Sequence, residues 1–226
     1  MYWSRTVRPK VLFILASFMA AVWLFLEVSE DVMEGEVQAL DRALLLALRM
    51  PGDPATARGP LWLESVARDI TALGSITVLG LVITAVTLFL LLASQRRLAL
   101  FVLLASSGGA LLTLLLKQIF SRPRPDLFMH GDVVVTASFP SGHAMISAVV
   151  YLTLGALLAK IVIRHTLKIY LMTVAVLLTG MIGLSRVYLG VHWPTDVLAG
   201  WVAGAGWALG CWGVAELINV RAESNA

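Results

Sequence analysis

Six stretches of this chain carry no Asp, Glu, Lys or Arg over 16 to 24 residues each: Val11–Leu26, Ile70–Ala93, Leu98–Leu116, Gly142–Ala159, Ile169–Leu184 and Val197–Ala215. Runs this long satisfy their own backbone in an apolar medium only as helices, and a helix that is apolar all round needs lipid or protein on every side. None alternates as the strands of a membrane barrel would. With 59% hydrophobic and 14% charged residues and a mean hydropathy of +0.87, the chain is too apolar for water, where a domain carries about 25% charged residues. The expected fold is all-α and integral to a membrane: a bundle of six transmembrane helices, with residues 1–226 forming a single domain. The shorter runs fall just under the usual ~17–25 residues, so their flanks are expected to extend them.

Basic residues set the orientation. The net charge is +3 and the pI about 9.3, yet the Lys and Arg form no aromatic-laced patch, so nucleic acid is not the partner. Arg5, Arg8 and Lys10 precede the first run as they would in a signal peptide, but Leu26-Glu27-Val28-Ser29-Glu30 offers no small-x-small cleavage site. A retained first span follows. With the N-terminus inside, the short connections at 94–97 and 160–168 carry five basic residues and no acid, as the positive-inside rule favours. Both termini are then cytoplasmic, and twelve of the fourteen acids fall outside. The chain is expected to be multi-pass in the cell (inner) membrane. Cys211 is the sole cysteine, so no intrachain disulfide is possible.

The external segment 27–69 has its own pattern. Val37, Leu40, Leu44, Leu45 and Leu48 recur at helical spacing, with Glu36, Asp41, Arg42 and Arg49 around the rest of the wheel. That pattern predicts an amphipathic helix on the extracytoplasmic membrane surface, ended by Met50-Pro51-Gly52-Asp53-Pro54. A second amphipathic piece, Trp62–Arg68, leads into the second span. These helices either cover the bundle or help a lipid reach a site.

The polar residues that remain form three groups, all at external ends of spans. In the first, Lys117 follows the third span and Arg122-Pro123-Arg124-Pro125 stiffens the exit. Lys117 and Arg124 can converge on one anion, as a point charge and a planar fork. Arg122 is a further cation, equally suited to lipid headgroups. In the second, Phe139-Pro140-Ser141-Gly142-His143, Ser141 is an N-cap candidate and Gly142 lets a ligand approach the backbone. The start of the fourth span thus offers free N–H groups to phosphate. In the third, Ser185–Asp196, Arg186 can clamp phosphate, and His192 and Asp196 are four residues apart beside a helix start. A carboxylate on one imidazole nitrogen leaves the other free to attack. Each group alone also reads as snorkelling anchors, an ordinary cap, or a structural His–Asp pair.

Together they supply two histidines, one carboxylate, at least three cations and a helix N-terminus, which suits phosphoryl transfer. His143, His192 and Asp196 are the only obvious metal ligands, and the surrounding cations oppose a divalent ion, so neither a metal nor another cofactor is expected. Walker loops and dinucleotide glycine motifs are missing. Gly200, Gly204, Gly206 and Gly210 give the last span small-residue spacing, either for the internal bundle or for a homo-oligomer.

On these motifs the chain resembles the type-2 phosphatidic acid phosphatase superfamily. Its pattern Lys-x6-Arg-Pro is met by Lys117 and Arg124-Pro125, Pro-Ser-Gly-His by Pro140-Ser141-Gly142-His143, and Ser-Arg-x5-His-x3-Asp by Ser185-Arg186, His192 and Asp196. The match covers residues 117–196. The resemblance implies that Lys117, Arg124, Arg186, Ser141 and Gly142 bind phosphate. His192 would form a phosphohistidine oriented by Asp196, with His143 as general acid and no metal required. Six spans point to a lipid phosphate as substrate, such as undecaprenyl pyrophosphate, phosphatidylglycerol phosphate or phosphatidic acid. The alternatives are a lipid A phosphatase and a non-catalytic phosphate-lipid transporter or scaffold.

Overall fold

The computed structural model describes residues 9–125 and 137–224. Arg5 and Arg8 of the orientation argument lie outside the described residues, as does the side chain of Arg221. Eight helices follow in order: α1 (Pro9–Glu34), α2 (Gln38–Ala47), α3 (Leu61–Ala72), α4 (Ile76–Leu92), α5 (Arg96–Ile119), α6 (Gly142–Ile161), α7 (His165–Tyr188) and α8 (Pro194–Ser224). Five of them, α1, α5, α6, α7 and α8, are each long and apolar enough to cross a membrane, and α3 with α4 passes the same test as a pair bent by 44°. The chain is a mostly helical, multi-pass membrane protein. Several helices extend beyond the apolar runs; α1 continues eight residues past Leu26 to Glu34, and α8 nine past Ala215 to Ser224.

The bend breaks the run Ile70–Ala93, which the sequence presented as one uninterrupted apolar span. Leu73 closes α3 by donating its N–H to Ile70 O, and Ser75 opens α4 by accepting the Val78 N–H on Oγ at 3.2 Å. Between them Gly74 presses into the bundle, where a Cβ would lie 2.5 Å from Ile182 Cγ2 and 3.4 Å from His143 Cδ2. Only glycine lets the elbow come that close.

α6 is the axis of the bundle, packed against α4, α5, α7 and α8. Its Ala144, Met145, Ala148, Val149 and Val150 are fully buried. The outer faces are the reverse of a soluble protein's, with Phe13, Leu92 and Ile163 among many large apolar side chains left open. Lipid tails cover such a surface without cost. The glycines of α8 are used within the chain on two sides. A Cβ at Gly200 would stand 2.7 Å from Ser141 O, and one at Gly204 2.4 Å from Met145 O, so these two bring α8 against the α6 backbone. Gly206 and Gly210 meet Ala21 and Phe18 of α1.

The segment after α1 differs in detail from expectation. α2 buries Asp41 and Leu45 and exposes Leu40 and Leu44. Its carboxylate therefore faces inward while part of its leucine stripe faces out. Residues 49–57 form a small antiparallel ribbon, β1 (Arg49–Met50) with β2 (Asp53–Ala57), where the sequence had predicted only a helix stop in an all-α chain. Pro51-Gly52 explains it: Pro presets the first turn position and Gly52, at φ +84°, takes the second.

Candidate active site

α6 begins where its sequence says it must. Ser141 has extended backbone angles and accepts the Met145 N–H on its carbonyl at 2.9 Å, as an N-cap does. Its own N–H donates to Asp196 O at 2.9 Å, which ties the start of α6 to the start of α8. The hydroxyl does not cap: Ser141 Oγ is buried and has no hydrogen-bond partner. A buried unpaired hydroxyl costs about 1–3 kcal/mol, and at a helix N-terminus an anion is the ligand that would relieve it. Gly142 lies beside the Lys117 stem, where a Cβ would come within 3.5 Å of Cε.

Three cations converge on the same end of the bundle. Lys117, in the last turn of α5, donates from Nζ to Ala137 O at 2.6 Å. Arg124 donates from Nη1 to Val191 O at 2.8 Å and stands 3.2 Å from His192 Nε2. Arg186, in the last turn of α7, donates to Thr71 Oγ1 at 3.1 Å. All three act electrostatically on His143, as does His192. The eight site residues named from the sequence thus fall in one cluster, although they come from four helices and two loops.

His192 is 2% exposed and Asp196 fully buried. Nδ1 of His192 lies 3.4 Å from Asp196 Oδ2 and 3.4 Å from Ser138 Oγ, at the long end of hydrogen bonding. Arg124 can only donate, so its approach to Nε2 fits a tautomer with the proton on Nδ1 and the Nε2 lone pair turned toward Arg124. Asp196 Oδ2 also accepts the Trp193 N–H at 2.9 Å and the Ser138 hydroxyl, and Oδ1 accepts from Arg122 Nη1 at 2.7 Å. The His192 imidazole is pushed down to about 4, mainly by burial, with Asp196 opposing and Arg124 and Arg186 adding to the fall. At neutral pH it is therefore the free base.

Arg122, left open between phosphate and headgroups by the sequence, and Asp41, Ser138 and Phe139, given no role there, adjoin the site. Arg122 turns into the protein, largely buried between Asp196 and Asp41, 2.7 Å from each. Asp41 also accepts from Thr195, through the backbone N–H at 3.0 Å and the hydroxyl at 2.5 Å. Ser138 links the carboxylate to the imidazole. Phe139, fully buried, holds this stretch against α1 and the α5 exit through rings of Phe25 at 6.0 Å and Phe120 at 5.0 Å. Asp41 carried one usable signal: it lies four residues before Leu45, on the side of α2 that turns out to be buried. An acid on an amphipathic helix ordinarily faces water.

Positive charge gathered around a buried imidazole, at the end of a bundle with an apolar exterior, is the electrostatic arrangement phosphoryl transfer needs, and it is the arrangement of a membrane phosphatase. More narrowly, the chain belongs to the PAP2 superfamily, whose model matches residues 97–218. It is 32% identical over 185 residues to the phosphatidylglycerophosphatase B of Bacillus subtilis (strain 168), covering 80% of this chain and 85% of that one. It is 27% identical over 128 residues to the undecaprenyl-diphosphatase of Sulfolobus acidocaldarius, covering 54% and 58%. The crystal structure of the transmembrane PAP2-type phosphatidylglycerolphosphate phosphatase from Bacillus subtilis superposes with a TM-score of 0.77 at 30% identity, over 89% of this chain and 97% of that one.

Proposed function

We propose that the chain removes phosphate from a membrane lipid by way of a phosphohistidine. The observation that carries this reading is buried His192, whose Nε2 faces the Arg124 guanidinium at 3.2 Å, set near a helix N-terminus whose Ser141 hydroxyl has no partner. The phosphate would lie among Lys117, Arg124 and Arg186, with Ser141 and the first N–H groups of α6 on its other side. His192 Nε2 attacks phosphorus, the bond from phosphorus to the lipid oxygen breaks, and His143 gives that oxygen its proton. Asp196 stabilises the positive charge that grows on the imidazole. Water then attacks the N–P bond, His143 takes the water proton, and phosphate leaves. A protonated His143 is accommodated among three cations only when the phosphate brings its negative charge. In this scheme the cations and the backbone N–H groups supply the electrostatics, and no metal takes part.

With α3 and α4 counted as one bent span, six spans result, residues 1–226 act as one unit, and both termini are cytoplasmic. The site then opens at the extracytoplasmic face, with α2 lying along that surface. Among substrates, phosphatidylglycerol phosphate comes first, because the similar Bacillus subtilis protein is a phosphatidylglycerophosphatase. A polyprenyl pyrophosphate is second, after the archaeal undecaprenyl-diphosphatase. Phosphate release over a panel of these lipids and phosphatidic acid separates them.

Acid quenching tests the roles of the histidines. His192→Ala is expected to abolish both turnover and trapped phosphoenzyme. His143→Ala is expected to slow a monoester strongly and a pyrophosphate less, because a phosphate leaving group has the lower pKa. If His192→Ala still accumulates phosphohistidine while His143→Ala cannot, the two roles must be exchanged.

A further inference from the structure

Arg122 occupies a place that phosphate binding does not explain. Its Nη1 donates to Asp196 Oδ1 at 2.7 Å and to Thr195 Oγ1 at 2.8 Å, and its Nη2 to Asp41 Oδ2 at 2.7 Å. Asp41 stands on α2, outside the three motifs, and is fully buried. It spends both carboxylate oxygens on Arg122 and Thr195. A chain of charge thus runs Asp41, Arg122, Asp196, His192, alternating in sign up to the imidazole.

Resting on the role of His192 given above, we infer that Asp41 and Arg122 are a positioning pair that sets the orientation and the effective charge of Asp196 at the nucleophile. Asp196 must keep Oδ2 toward Nδ1 while other donors compete for it, and Arg122 fixes it by holding Oδ1. Arg122 also withdraws part of the negative field that Asp196 exerts on the imidazole. Asp41 offsets Arg122 and restores that field. The amphipathic helix α2 is in this way joined to the chemical step through one buried ion contact, while its Leu40 and Leu44 face outward.

A pair that merely fastened α2 to the bundle would weaken folding in the same sense whichever partner was removed. A pair that tunes Asp196 acts on the nucleophile with opposite signs. In Asp41→Asn, isosteric but neutral, Arg122 bears wholly on Asp196, and the imidazolium loses support. The acid limb of kcat/KM moves to lower pH, and kcat falls while KM holds. In Arg122→Gln the Asp196 field is unopposed, and the limb moves to higher pH. Each shift is on the order of half a pH unit, the size expected of one charge acting through a buried intermediary. The double variant returns the limb toward the wild type. The other groups facing His192 are Arg124 on the loop after α5, Arg186 on α7, and His143 on α6 with Lys117 behind it. All are unchanged in these variants, so the difference between limbs reads the pair alone.

The measurement is phosphate release from a short-chain phosphatidic acid by the purified, detergent-solubilised full chain across pH, in wild type, both single variants and the double. Opposed shifts that cancel in the double support the pair. Shifts in one direction, or none, overturn it, provided wild type is active and His192→Ala is not. Should Arg122→Gln fail to fold, Asp41→Asn decides alone: a lower limb with KM retained supports the pair, and an unmoved limb overturns it. An active His192→Ala enzyme would instead overturn the nucleophile role, and the pair with it.

Discussion

Gly200→Ala is the sharpest mechanical test of how the fold serves the site. The new methyl would stand 2.7 Å from Ser141 O and 3.0 Å from Ala144 Cβ, against an ordinary contact of 3.4 Å. Neither neighbour is a flexible side-chain end, so α8 must withdraw from α6 by roughly 0.7 Å, an overpacking that costs about 1–3 kcal/mol. The withdrawal falls where the two halves of the site meet: Ser141 N–H holds Asp196 O, and His192 lies four residues before Asp196. A displacement near 1 Å at reacting groups can cost about 100-fold in rate. We therefore expect kcat/KM for a lipid phosphate to fall roughly 10- to 100-fold, with a lower Tm in detergent. Gly80→Ala is the control, because a Cβ there meets nothing within 4 Å; it should keep full activity. A Gly200→Ala enzyme as active as Gly80→Ala would refute the claim that α6–α8 contact sets the distance between anion site and nucleophile.

Activity is expected to survive EDTA, and millimolar vanadate, a five-coordinate phosphorus mimic, should inhibit competitively; loss on chelation with rescue by Mg²⁺ or Zn²⁺ would overturn the all-protein electrostatics. In a Cys211→Ala background, Ala55→Cys on the ribbon should react with an impermeant thiol reagent in intact cells and Gln95→Cys only after permeabilisation; the reverse pattern would turn the site to the cytoplasm. Stability should depend on pH through His192. Burial holds its pKa down at about 4, below the ordinary imidazole value of 6.5, so its contribution is complete above pH 6.5 and is lost as pH falls toward 4. The loss is at most roughly 3 kcal/mol, and His192→Asn should flatten that part of a Tm–pH curve. Asp196→Asn should lower kcat with little change in KM, since the carboxylate meets the imidazole and not the substrate; a rise in KM alone would contradict its place.

Much of this was legible in one dimension. Apolar runs free of charge declare membrane helices because lipid tolerates no unpaired backbone and few charges, and that constraint acts on every residue of the run. The same constraint made the site legible: Lys117, His143, Arg186, His192 and Asp196 stand at span ends where bare snorkelling would not call for two histidines and a carboxylate at fixed spacing. The structure gathered all of them. What the sequence could not decide were relations between segments far apart along the chain. Whether Asp41 faces water or protein depends on where α2 lies against α8, 154 residues later. Nothing in a helical wheel carries that information. Arg122 was indistinguishable from a headgroup anchor for the same reason: its partners belong to two other elements. The elbow at Gly74 needed Ile182 and His143 to show why the span breaks there. The ribbon at 49–57 was written locally in Pro51-Gly52 but was masked by the stronger helical period before it. Local chemistry and solvent preference thus determined which helices form and which residues are reactive. Only packing, where one methyl's width separates α6 from α8, decided which charges are buried, which are paired, and how the imidazole is aimed.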